Sequence, residues 1–150
     1  MNAITETIFI GNYLDAQDVI CHRAEGIRSM VCLDGKLRDV EARTMGLEAL
    51  EVFELKDGPG NDLGIFERVV EVIGRLSRLH PKVLVQCHAG RSRSVVAVAA
   101  HLMRTQGLDW KGAVQFVAER REVEISPGMH ELLLGKWLQP PKTGAQALGG

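Results

Sequence analysis

A chain of 150 residues, 45% hydrophobic and 25% charged, is one domain's worth of globular protein, long enough to bury a core without disulfides or metals. Its 18 Lys and Arg against 19 Asp and Glu leave a formal charge of −1, which excludes a general polyanion-binding surface. Residues 72–108 break that balance: they carry six cations (Arg75, Arg78, Lys82, Arg91, Arg93, Arg104) and no acid, leaving 12 basic against 19 acidic residues elsewhere.

The pattern predicts a short strand at 8–10, a helix over 15–25 and a β-like run over 27–33. Residues 38–46 are charged and helix-compatible, and 50–55 alternate apolar and acidic residues as a half-exposed strand does. The loop Lys56-Asp57-Gly58-Pro59-Gly60-Asn61-Asp62 comes next, dense in turn residues, with Asn61 and Asp62 suited to cap a helix starting near Leu63. In that helix Phe66, Val69, Val70, Ile73 and Leu76 define one buried face, and Pro81 marks its end. Val83-Leu84-Val85 reads as a central strand covered on both sides, and 95–103 as a buried helix. Asp109 suits the cap of a further helix through Arg120, and Ser126-Pro127 a cap and first-turn proline for a last helix ending near Leu138. The expected domain covers 1–139, with a disordered Gly- and Ala-rich tail over 140–150. Strands alternating with helices predict an α/β fold, a mostly parallel sheet flanked by helices, with its site where strand C-termini meet helix N-termini.

Cys21, Cys32 and Cys87 are odd in number and form no Cys-x-x-Cys, which argues against a disulfide scaffold and against tetrahedral zinc. No stretch reaches the ~20 apolar residues of a membrane span, and the N-terminus lacks a basic start followed by an apolar run. The expectation is a cytoplasmic protein that needs neither metal nor cofactor.

The segment after Val85 carries the chemistry: Cys87-His88-Ala89-Gly90-Arg91-Ser92-Arg93-Ser94, between a central strand and a buried helix. A short loop at a helix N-terminus aims backbone N–H groups at one point, and the helix dipole adds positive charge, so His88 to Arg93 form a candidate phosphate cradle. Gly90 permits the tight curve. Cys87 experiences the same field, which favours its thiolate. Arg93 can return its guanidinium to clasp two oxygens, while Arg91 suits either substrate contact or an outward position. Ser94 can hydrogen-bond the sulfur, cap the helix, or both. Cys21 and Cys32 lack this setting and read as structural.

At these residues the chain resembles the cysteine-dependent protein phosphatases, specifically the compact dual-specificity branch, through Cys-x5-Arg-Ser with Ser92 before the Arg. The resemblance extends to Leu55-Lys56-Asp57, Asn61-Asp62-Leu63, Phe66, Ile8-Phe9-Ile10-Gly11 and Ser126-Pro127-Gly128. It implies that Cys87 attacks phosphorus to form a phosphocysteine, that Asp57 protonates the leaving oxygen and then activates water, and that Arg93 and the amides of His88, Ala89, Gly90, Arg91 and Ser92 stabilise the equatorial oxygens. Asp57 also suits a plain turn, with Asp62 its competitor as the acid. Low-molecular-weight tyrosine phosphatases place their acid after the cysteine loop, and rhodanese-like domains have no use for Asp57 here.

The resemblance implies phosphorylated protein or peptide substrates bearing phosphotyrosine and phosphoserine or phosphothreonine, with a phosphoinositide or an RNA 5′-phosphate end as the enzymatic alternative and a catalytically weak phosphate-binding scaffold as the other. One departure stands at residue 86. The family has His before the nucleophile and this chain has Gln86, which donates a hydrogen bond but carries no charge, so the acidic limb of the pH profile is expected to shift. Asp34, ending another strand before Gly35, reads as a turn residue, and His101 as a packed or surface side chain.

Overall fold

The segment 83–86 is apolar enough to be covered on both faces, and it becomes the middle of the sheet. A computed structural model describes residues 1–138. Its strands are β1 (Asn2–Ala3), β2 (Ile8–Gly11), β3 (Ser29–Cys32), β4 (Ala49–Val52) and β5 (Val83–Gln86), in the order β1-β2-β5-β3-β4. All neighbours are parallel except β1, which pairs antiparallel with β2. Gly11 and Cys32 both lie opposite Gln86, so three strands end level with one another and the segments leaving them converge. Because the chain places β2 on one side of β5 and β3 on the other, the crevice at the C-terminal end of β5 is a topological switch point.

Helices cover both faces. On one, α3 (Leu63–Leu79), α4 (Arg93–Gln106) and α5 (Trp110–Ala118) pack over Ile8, Ile10, Val31, Val83 and Val85. On the other, Ala16 of α1 (Tyr13–Gln17) lies with Phe9, Met30 and Leu84, and Val19 of α2 (Val19–Glu25) packs against that cluster. The period-two alternation along β2 and β5 thus divides their side chains between two cores. Helix α3 buries the five apolar residues its spacing marks, and Asp62 caps it by accepting from Ile65 N. Asp109 caps α5 in the same way through Gly112 N. Helix α4 is buried continuously from Ser94 to Met103.

Several elements differ from their sequence reading. The helix expected over 15–25 is two, because Asp18 leaves helical geometry and its side chain accepts from Cys21 N to cap the second. Residues 38–46 yield only a 3₁₀ turn, Ala42–Met45, closed by Gly46 at φ 71°. The last helix is absent. Gly128, at φ 90°, turns the chain after Pro127 into two 3₁₀ segments, Met129–Leu134 and Lys136–Leu138, with Gly135 between them. Strand β1 has no counterpart in the sequence reading, being too short for a periodic signal. The tail expected over 140–150 lies outside the described residues.

Phe66 is fully buried beneath Trp137, ring centroids 6.1 Å apart and edge-on. Phe66→Ala is expected to lower unfolding free energy by about 3–5 kcal/mol in urea denaturation. Ile20→Ala, at a side chain 83% exposed, should change it by less than about 0.5 kcal/mol.

Candidate active site

Between the end of β5 and the start of α4 the chain makes one tight loop, 87–92, and its curvature rests on Gly90. That residue has φ 68°, and a Cβ there would stand 2.5 Å from Arg121 Nη2 and 2.7 Å from the Gly11 carbonyl oxygen. Only glycine fits, by backbone geometry and by space. Cys87, 2% exposed, opens the loop. Its Sγ lies 3.1 Å from Ser94 Oγ and accepts from Ser94 N at 3.4 Å. Ser94 stands inside the first turn of α4, so its hydroxyl serves the sulfur, and the N-cap position falls to Ser92. The Ser92 hydroxyl instead accepts from Ser126 N at 3.0 Å, stitching the loop to the segment before Gly128.

Arg93 returns across the site. Its Nη1 donates to the Leu55 carbonyl at 3.2 Å, and its Nε is buried without a hydrogen-bond partner. The contact joins the start of α4 to the segment that follows β4, two residues before Asp57. Asp57 is exposed, and it lines a cavity of about 300 Å³ together with Ala89, Arg91, Ser92 and Glu124. Asn61 holds the loop around Asp57 in shape: its Oδ1 accepts from Lys56 N at 2.8 Å while its Nδ2 donates to the carbonyls of Lys56 and Gly58. Asp62, the other carboxylate of this segment, is occupied in capping α3. Arg91 points outward to Glu122 and Glu124, at 3.4 and 3.9 Å. His88 is an exposed loop side chain stacked on Tyr13, centroids 4.5 Å apart and 2° from parallel.

Two further supports carry no sequence signal. Arg121 donates through Nε to the Gly90 carbonyl at 2.6 Å, and through Nη1 to Asn2 Oδ1 and the Ile10 carbonyl at 2.7 and 3.2 Å. It fastens the outside of the loop to the end of β2. Nothing in the chain sets Arg121 apart from Arg120, because the distinction arises only when 90, 10 and 2 meet. The second support corrects the reading of Asp34 as a simple turn residue. The residue is 93% buried, and its carboxylate accepts from the Cys32 thiol at 3.1 Å, from Gln86 Nε2 at 2.9 Å and from Lys36 N at 3.1 Å. Gln86 Nε2 also donates to the Cys87 carbonyl at 2.9 Å. The residue that replaces the expected His therefore bridges a buried carboxylate to the first carbonyl of the loop.

These contacts set the local charge states. Burial pushes the Asp34 carboxyl up, but the hydrogen bonds from Cys32, Gln86 and Lys36, with Arg93 nearby, outweigh it and hold the group below its ordinary value. The Cys32 thiol, buried and donating to Asp34, is pushed up to about 11. Burial lowers the Arg121 guanidinium, with Asp15 and Cys87 opposing. Cys21, Cys32 and Cys87 are all free thiols. Among the described residues no group of three or more His, Cys, Asp or Glu side chains could hold a metal ion, and no helix is long and apolar enough to cross a membrane.

The arrangement has known counterparts. The family model for the dual specificity phosphatase catalytic domain matches residues 8–134. This chain belongs to that family. The dual specificity phosphatases it resembles include dual specificity protein phosphatase 1 of Arabidopsis thaliana, 26% identical over 120 residues, covering 80% of this chain and 60% of the relative. Among solved structures, human DUSP28 superposes with a TM-score of 0.78 at 25% identity, over 89% of this chain and 93% of that one. A mouse dual specificity phosphatase complexed with zinc tungstate gives 0.78 at 26%, over 99% and 89%. The chain spans 30–60% of the length of the first curated relatives it matches.

The loop and the carboxylate beneath it can each be tested by substitution. Gly90→Ala should displace the loop and lower stability by about 1–3 kcal/mol in thermal denaturation. Asp34 is more acidic folded than unfolded, so its contribution is complete above the unfolded value of ~3.9 and is lost as pH falls through the lower folded value. Asp34→Asn should therefore lower stability at neutral pH and flatten the acid limb of the stability profile, measured by urea denaturation from pH 7 downward.

Proposed function

We propose that this domain is a cysteine-dependent phosphatase that hydrolyses phosphotyrosine and phosphoserine or phosphothreonine in proteins through a phosphocysteine. The observation that carries the reading is the meeting of the two loops: Asp57 lines the same cavity as Ala89, Arg91 and Ser92, and Arg93 is bonded to the Leu55 carbonyl two residues before it.

Phosphate oxygens lie against the loop amides from His88 to Arg93, and the free Arg93 Nε supplies a further charged donor. The Cys87 sulfur attacks phosphorus opposite the leaving oxygen, and Asp57 gives that oxygen its proton as the P–O bond breaks. Ser94 Oγ, at 3.1 Å, stabilises sulfur as the leaving group when water, deprotonated by Asp57, attacks the phosphocysteine. Inorganic phosphate and free Cys87 result, with no redox change and no metal in the cycle.

The cavity's charge favours a phosphoprotein over a phosphoinositide. Its one lining cation, Arg91, faces Asp57 and Glu124, and the Glu122 and Glu124 contacts compensate it. No cation excess is left at the rim to draw a polyanionic headgroup. Free thiols at Cys21, Cys32 and Cys87 support a reducing, cytoplasmic setting.

Turnover of p-nitrophenyl phosphate tests the reading. Cys87→Ser should abolish it, and Asp57→Asn should slow it about 10²–10⁴-fold, most steeply for substrates with poor leaving groups. Equal turnover by wild type and both variants would overturn the enzymatic assignment and leave a phosphate-binding scaffold. Phosphopeptides, phosphoinositides and 5′-phosphorylated RNA, compared by kcat/KM, separate the substrate classes.

A further inference from the structure

The six cations of residues 72–108 are not all used by the phosphate loop. Arg91 and Arg93 belong to it. Arg75 is paired with Glu51 at 3.1 Å, and Lys82 donates to the Glu25 carbonyl at 2.8 Å while lying over Phe9. Arg78, near the end of α3, and Arg104, in the last turn of α4, remain. Neither has a carboxylate or carbonyl partner among the described residues, although Arg104 stands over the Trp137 ring at 5.5 Å. Both line one cleft of about 250 Å³ between α3 and α4, with His101, Thr105, Gly74 and Glu71.

His101 gives the cleft its second feature. It is 92% buried, its ring nitrogens have no hydrogen-bond partner among the described residues, and it lines the cleft wall. Gly74 lines the cleft beside both groups, its Cβ position 3.4 Å from Arg78 Nη1 and 3.9 Å from His101 Nδ1. An imidazole that opens to the cleft without a protein partner, flanked by two guanidinium groups, gives the wall an excess of donors over its single carboxylate, Glu71. A tetrahedral dianion supplies several acceptors at once, with geometry suited to forked N–H donors. The cleft is eight residues beyond Arg93 along α4, about 12 Å at 1.5 Å per residue, so it is separate from the phosphate loop.

We propose that Arg78, Arg104 and His101 form a second anion site for a tetrahedral dianion, a phosphate group whether free or carried as a monoester. The groups facing His101 are Arg78 and Glu71 from α3, Arg104 from its own helix, and Glu6 from the turn between β1 and β2. Burial, then Arg104, then Arg78 lower the His101 pKa from its ordinary value. A dianion at the site opposes the effect of both arginines, so occupancy raises that pKa and binding tightens as pH falls. Glu71 limits affinity at the mouth.

The test follows the His101 imidazole by NMR in the full chain, assigned with His101→Gln, during titration with inorganic phosphate, phosphoserine and sulfate. Sodium chloride at matched ionic strength is the control. Saturable shifts with the dianions but not with chloride are expected, together with a raised His101 pKa and tighter sulfate binding at pH 6 than at pH 7.5. Sulfate stays a dianion over that range, so the pH dependence belongs to the protein. Arg78→Gln with Arg104→Gln should weaken binding about tenfold or more while p-nitrophenyl phosphate turnover persists, and Glu71→Gln should strengthen it. Phosphoserine binding tighter than phosphate identifies a monoester as the preferred source; equal binding identifies the free ion. A His101 signal indifferent to the dianions, matched by chloride, or unchanged in its response in the folded double variant, overturns the proposal.

Discussion

The 87–92 loop closes against the end of β2 at a distance that leaves no room for a side chain. With Gly90 at positive φ and the Gly11 backbone immediately behind its missing Cβ, the loop has one path from β5 to α4. That path decides where the other groups fall: Cys87 at its start beneath Ser94, and Arg93 at its end, free to reach Leu55. Backbone sterics, more than any charged pair, give the site its shape. The ion pairs of Arg91 lie at the exposed rim, where such contacts contribute little to stability.

The layers of the fold and the contents of the loop were legible because they are written locally. The spacing along α3 and the apolar run of β5 each specify an element without reference to distant residues. The capping residues Asp62 and Asp109 behave likewise. The breaks at Asp18 and Gly128 were less visible, since a residue that can cap a helix can also sit between two, and a glycine reveals its left-handed φ only in place. Cys87, Arg93 and Ser94 share one octapeptide and could be read together, whereas Asp57 needed a family pattern to be chosen over Asp62.

What escaped the sequence is the scaffolding of the loop. Arg121 and Asp34 act through partners 31 and 52 residues away, and neither has a neighbour in sequence that marks it. Their environments differ in kind. Arg121 braces carbonyls on the outside, while Asp34, held ionised against its burial, anchors Gln86 from beneath. Gln86, conspicuous only as a substitution for an expected His, thereby acquires a partner. A buried carboxylate accepts both from it and from the Cys32 thiol, leaving Gln86 Oε1 as an acceptor still unmatched.

The long reach of these contacts also bears on how the domain comes into being. Arg121, which braces Gly90, is bonded to Ile10 of β2 across 111 residues; Gln86, just before the loop, to Asp34 across 52; and Arg93, just after it, to Leu55 across 38. Pairings so distant in sequence carry loop-closure entropy that neighbouring contacts avoid, and they form once the elements they connect have docked. The octapeptide cut from the chain would keep its residues and lose its curve. Its shape is therefore a property of the assembled sheet, acquired in the closing steps of folding.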